Sequence, residues 1–101
     1  MEELLRFRKE LDELDCRLID TIAERFAICR RVAEYKAEHQ IPMMQPARVL
    51  EVKKRAAERA MTAGIAERFA LELYDLIISE ACRMEDEIID AATPAALIAQ
   101  D

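Results

Sequence analysis

Apolar residues recur along the first part of the chain at Leu4, Phe7, Leu11, Leu14, Leu18, Ile28 and Val32. This 3-4 alternation is one face of an α-helix, and it predicts a helix from about Glu3 to His39 whose seam faces a core. Pro42 sets its limit, because the residue before a proline is pushed out of the helical region. The segment IPMMQP then reads as a short connector. Pro46 suits the first turn of a second helix, which carries Val49, Val52 and Ala56, runs toward Met61 and ends near Gly64. A third helix, from about Ala66 to Ala91, places Ala70, Leu73, Ile77, Ala81, Met84 and Ile88 at helical spacing. Nothing alternates with the period of a strand. The expected fold is all-α with three helices, residues 1–92 forming one helical domain and 93–101 a C-terminal tail that docks weakly at most.

The first helix is too long for a compact monomer. About 35 residues at 1.5 Å each make a rod of about 50 Å, whereas a folded chain of this size has a radius of gyration of about 13 Å. Two such helices lying antiparallel, with the others packed around them, bury the overhang as an intertwined homodimer. The alternative is a bent or frayed helix in a monomer.

Composition narrows the partners. The 101 residues are 52% hydrophobic, enough for a core, and the formal net charge of -6 argues against nucleic acid or an anionic membrane surface. No apolar run approaches a membrane span, and the start, MEELLRFRKELDELD, is charged rather than signal-like, so a cytoplasmic location is expected. Cys16, Cys29 and Cys82 are an odd number without CxxC spacing and read as reduced residues in or near the core. His39 stands alone, which leaves no zinc set.

Against that background Arg25 is out of place. It falls on the apolar seam of the first helix, with Thr21, Ile22, Ile28 and Cys29 one turn away, and a cation so enclosed needs an anion. Lys36 follows it by 11 residues, close to three turns, so the two share a face about 16 Å apart along the backbone. Arg8 is about 25 Å from Arg25 along the same helix, too far to share a ligand unless a partner chain supplies it. Arg48, just after the connector, can approach the same region or remain an ordinary solvated arginine. Glu85 interrupts an apolar stripe of Ala81, Cys82, Ile88 and Ile89. Burial favours its neutral acid form, a hydrogen-bond donor, while the structural alternative is an ion pair with Arg25 or Lys36. The set contains no Ser-His or Cys-His pair, no glycine-rich phosphate loop and no metal ligands. Cations facing one protonatable acid suit a unimolecular rearrangement of a small dianion, in which the protein holds the reacting ends together and stabilises charge on a breaking C–O bond.

These residues carry a resemblance. The run LLRFRKELDELDCRLIDTIAERFAICRRVAEYK, the proline-bearing connector, ARV and LYDLIISEACRMEDEII together resemble the all-helical chorismate mutase family over nearly the whole chain. Arg8, Arg25, Lys36 and Arg48 fall at that family's spacing, and Glu85 at its ether-oxygen donor position. The resemblance implies an isomerase built as an intertwined three-helix homodimer with two equivalent sites and no cofactor or metal. It would convert chorismate to prephenate by a Claisen rearrangement, at the shikimate-pathway step leading to aromatic amino acids. Arg25 and the partner subunit's Arg8 would hold the two carboxylates, and Lys36 would bridge a carboxylate and the ether oxygen. Protonated Glu85 would donate to that oxygen, and Arg48 would support the anionic end.

Three positions depart from the familiar pattern. Gln45 and Val49 stand where bacterial mutases place acidic residues against the C4 hydroxyl, and Ala81 replaces a small hydroxyl residue. Substrate-binding positions are therefore Arg8, Arg25, Lys36, Gln45, Arg48, Val49, Ala81 and Glu85. IPMMQPARV with ACRMEDEII also resembles mutases that act on 4-amino-4-deoxychorismate in secondary metabolism, which gives the second reading after chorismate. Isochorismate-pyruvate lyase is third, since the lyases have a shorter connector and usually a glutamine at the place of Glu85. A non-enzymatic helical dimerisation module is the reading of a different class, and it would accept leucine at position 25.

Overall fold

The computed structural model describes residues 1–92 as three helices, α1 (Glu2–His39), α2 (Pro46–Thr62) and α3 (Glu67–Ala92). The described residues include no strand, and the helix limits fall within two residues of those read from the pattern. The predicted tail, 93–101, lies outside the described residues.

Local chemistry accounts for the ends of the helices. Pro46 occupies the first turn of α2, where its missing N–H costs nothing. After α2, Gly64 takes the left-handed conformation at φ 76, and the Ile65 N–H donates to the Ala60 carbonyl at 2.8 Å. The same closing turn ends α1 without a glycine: Gln40 adopts φ 55, and the Ile41 N–H donates to the Lys36 carbonyl at 2.9 Å. Both turns satisfy carbonyls that the last helical turn leaves unpaired.

Among the described residues α3 packs against both α1 and α2, which do not pack on each other. The buried apolar residues are Ala33 of α1, Ala57 and Ala60 of α2, and Ala70, Ala81 and Met84 of α3. Five alanines and one methionine make a thin core. Small side chains let the helix axes approach closely, at the cost of little apolar volume buried within one chain.

The face of α1 that packs inward is not the predicted leucine seam. Ile22, Arg25, Phe26, Cys29, Ala33, Lys36 and Ala37 are the partly or fully buried positions of α1. Leu4, Phe7, Leu11, Leu14 and Leu18 are exposed, Leu11 at 57% and Leu18 at 56%. The reason is length: α1 has 38 residues, about 57 Å, while α3 has 26, about 39 Å, and covers only its C-terminal half. Cys16, read as near-core, is likewise exposed on the overhang, while Cys29 and Cys82 are half-buried. The radius of gyration of 18.4 Å exceeds the roughly 13 Å of a compact chain this long. The surface of 8349 Å² exceeds the roughly 5,800 Å² expected for a compact monomer of this mass. None of the helices is long and apolar enough to cross a membrane.

A Cβ at Gly64 would meet no atom within 4 Å, so Gly64→Ala tests the backbone conformation alone. The left-handed φ should cost about 1 kcal/mol, lowering Tm by about 4–8 °C. Thermal unfolding followed by circular dichroism at fixed protein concentration measures it, and an unchanged Tm would remove Gly64 from the cap.

Candidate active site

Where α1, the connector, α2 and α3 converge they leave a cavity of about 390 Å³. From α1 come Arg25, Ile28, Cys29, Val32 and Lys36, and from the connector Met43, Met44 and Gln45. α2 adds Arg48, Val49 and Val52, and α3 adds Ile78, Ala81, Cys82 and Glu85. Seven of the eight positions singled out from sequence line this one space. Arg8 does not, being exposed on the overhanging half of α1.

Helical spacing explains the convergence. On α1, positions 25, 29, 32 and 36 descend one stripe, with Ile28 beside it, so two cations share a wall with apolar residues. Ile28 and Val32, predicted to face a core, face this cavity instead. On α3, positions 78, 81, 82 and 85 form the opposing stripe.

Lys36 is the most constrained charge. Its Nζ donates to the Met43 carbonyl at 2.9 Å and lies 3.6 Å from Glu85 Oε1. Glu85 is 8% exposed and is the only buried charged residue among those described. Of the two partners considered for it, Lys36 is the one it meets. Arg25, half-buried, has its guanidinium 5.8 Å from the centre of the Tyr74 ring, and its Nη1 points at Cys29 Sγ at 3.8 Å. These are weak neighbours for a guanidinium, and no carboxylate is paired with it among the described residues.

Arg48 lines the cavity from the first turn of α2, yet its Nη1 donates to Glu51 Oε1 at 2.9 Å. Gln45 donates through Nε2 to the Pro42 carbonyl at 2.9 Å, which leaves Oε1 free to accept. Burial pushes the Cys82 thiol up from 9.0, and the nearby Glu85 and Asp86 carboxylates raise it further. Cys82 is therefore a neutral wall of the cavity and a poor nucleophile.

Reading the sequence missed Tyr74, Glu51 and the two connector methionines. Tyr74 lies seven residues before Ala81 on the same face of α3, so the period that found Ala81 and Glu85 contains it. Glu51, three residues after Arg48, was legible as a helical ion-pair spacing. Met43 and Met44 lie on the connector, outside any helical period, and carry no such signal.

The comparisons with known proteins agree with this architecture. The chain is 51% identical over 87 residues to a 4-amino-4-deoxychorismate mutase of Streptomyces venezuelae, covering 86% of this chain and 84% of that protein. It is 49% identical over 82 residues to a 4-amino-4-deoxychorismate mutase of Streptomyces pristinaespiralis, covering 81% of this chain and 64% of that protein. It is 24% identical over 90 residues to a chorismate mutase of Methanocaldococcus jannaschii, covering 89% of this chain and 91% of that protein. The profile of the chorismate mutase type II family matches residues 7–86, a span that contains the connector, all of α2 and every cavity-lining residue, and the chain belongs to that family.

Proposed function

We propose that this chain is an isomerase whose cavity catalyses the Claisen rearrangement of 4-amino-4-deoxychorismate, breaking the ether C–O bond and forming a C–C bond within one molecule. The observation that carries the reading is the Lys36–Glu85 pair, 3.6 Å apart, in a cavity walled by Arg25 and Arg48. The reaction needs no nucleophile or metal. It needs the two reacting ends held together and a donor at the ether oxygen. The amino group at C4 is favoured by the names of the two Streptomyces relatives. Chorismate is the second reading, favoured by the Methanocaldococcus jannaschii relative.

The roles follow from chemistry. Arg25 binds a substrate carboxylate through a guanidinium that Tyr74 and Cys29 position without neutralising it. Lys36 grips a carboxylate and the ether oxygen, and Arg48 supports the anionic end once the ligand competes with Glu51. A carboxylate arriving beside Lys36 replaces Glu85 as its counter-ion. Glu85 then faces the ether oxygen, where its acid form is the hydrogen-bond donor.

The other carboxylate falls to Arg8 of the partner subunit. An antiparallel pair of α1 helices that brings Arg8 of one chain beside Arg25 of the other has its dyad between positions 16 and 17. The exposed Leu11, Leu14 and Leu18 flank that point, and their burial gives the homodimer its driving force.

Three outcomes are expected. First, purified protein offered 4-amino-4-deoxychorismate, chorismate and isochorismate separately should rearrange the first with the highest kcat/KM, as identified by mass spectrometry. Turnover of none would return the chain to a dimerisation module. Second, Glu85→Gln, which keeps a hydrogen-bond donor at the ether oxygen, should retain at least about tenfold more kcat/KM than Glu85→Ala, which removes it. Steady-state kinetics measures both variants, and equal losses in the two would remove the donor role. Third, Arg8→Ala and Arg25→Ala should each lose about 100-fold in kcat/KM. Mixed in equal amounts and allowed to exchange subunits, they should recover about a quarter of native activity, because a mixed dimer has one intact site of two. No recovery in demonstrably mixed dimers would show that the site is not shared.

A further inference from the structure

A second cleft, of about 320 Å³, adjoins the first and is lined by Arg25, Arg48, Val52, Arg55, Ala56, Arg59 and Tyr74. Four of its seven residues are arginines and none is acidic. This reverses the balance of a chain whose net charge is -6.

The arrangement has a simple origin. Positions 48, 55 and 59 lie within about 40° of one another around α2 and span about 16 Å along it, so three guanidinium groups form one row. Arg25 of α1 faces that row, with the Tyr74 ring beside it. One carboxylate offsets them: Glu51 meets Arg48 and Arg55, each at 2.9 Å. Arg59 and Arg25 have no acidic partner among the described residues. The local sum is three uncompensated positive charges in a concave space. Guanidinium groups so placed are fork-shaped donors for carboxylate and phosphate oxygens.

We propose that this cleft is a second anion site, which takes a small organic polyanion with two or more carboxylate or phosphate groups and competes with substrate across the shared arginines. Arg25, Arg48 and Val52 line both cavities. An anion that draws Arg25 and Arg48 toward the α2 row withdraws them from the first cavity. By linkage, substrate in the first cavity weakens the anion in the second by the same factor. Binding of the anion stands without the proposed rearrangement, and only its effect on turnover rests on that reading.

The test titrates the full chain with citrate and with inorganic pyrophosphate by isothermal calorimetry at low ionic strength. It repeats both titrations on Arg59→Gln and on the Arg55→Gln, Arg59→Gln double variant. Neither arginine lines the first cavity, and both are exposed, so the variants should fold. At least one probe should bind at one per chain, and the double variant should bind it at least about tenfold more weakly. The same probe should raise the KM of the native protein without lowering kcat and should act weakly on the double variant, whose own turnover stays within twofold of native. The probe that binds more tightly assigns carboxylate or phosphate chemistry. Equal binding to native and double variant would put the anion in the first cavity and overturn the proposal. So would no binding of either probe, or a double variant that dissociates the dimer, which would assign the cleft to acidic side chains of a partner's α1. Saturable binding in a protein without turnover would instead end only the mutase reading.

Discussion

The Lys36 ammonium donates to the Met43 carbonyl at 2.9 Å and lies 3.6 Å from Glu85, and so one charge ties α1 to the connector and to α3. Met43 leads directly into α2, where Arg48 and Val49 complete the cavity. A charge with two partners in a half-buried place is held by geometry as much as by attraction, because loss of either contact leaves a polar group facing apolar walls. The connector depends on it. This six-residue crossing contains two methionines and a proline, and takes its position from the Lys36 bond and from Gln45 donating to Pro42. The group proposed to meet the ether oxygen is thus also the group that shapes the wall opposite it.

How far the sequence was legible differs between helices and side chains. Proline and glycine limits placed the three helices closely, since those residues act on the backbone within one turn. Gln40 escaped, because a non-glycine residue in the left-handed region carries no compositional signal. The cavity residues were legible as spacings on α1 and α3, where the helical period does the sorting. Arg25 shows the limit of that method. It was marked as a cation among core leucines, but the leucines of the N-terminal half face outward and Arg25 stands where the inward stripe meets the cavity. Periodicity identifies a face; it does not say which chain will cover it.

That distinction explains the architecture. A core of alanines and one methionine lets α3 lie close to both neighbours, but it buries little apolar area. The larger apolar residues, Leu4 to Leu18 and Phe7 among them, are kept for a surface beyond the reach of α2 and α3. Stability and site completion then have the same proposed source, a second copy that covers the leucines and brings Arg8. A chain that invested those leucines in its own core would have no reason to carry a 38-residue helix.

Under the proposed reading, the part of the cavity lined by Gln45 and Val49 meets the C4 end of the ligand, and its chemistry is permissive. With Nε2 of Gln45 committed to the Pro42 carbonyl, Oε1 is an acceptor, and Val49 beside it offers no second one. A hydroxyl and a protonated amine are both donors of similar size, and an amide oxygen accepts from either, so such an end selects for the presence of a donor far more than for its identity. A carboxylate at position 45 or 49 would behave differently. It would pair with the ammonium, strengthening one ligand while adding a third anion beside the two substrate carboxylates that Arg25, Arg48 and Lys36 would already balance. Under the proposed reading, the amide and the valine add no anion at the C4 end, so the cationic set answers only to the two carboxylates and the breaking bond.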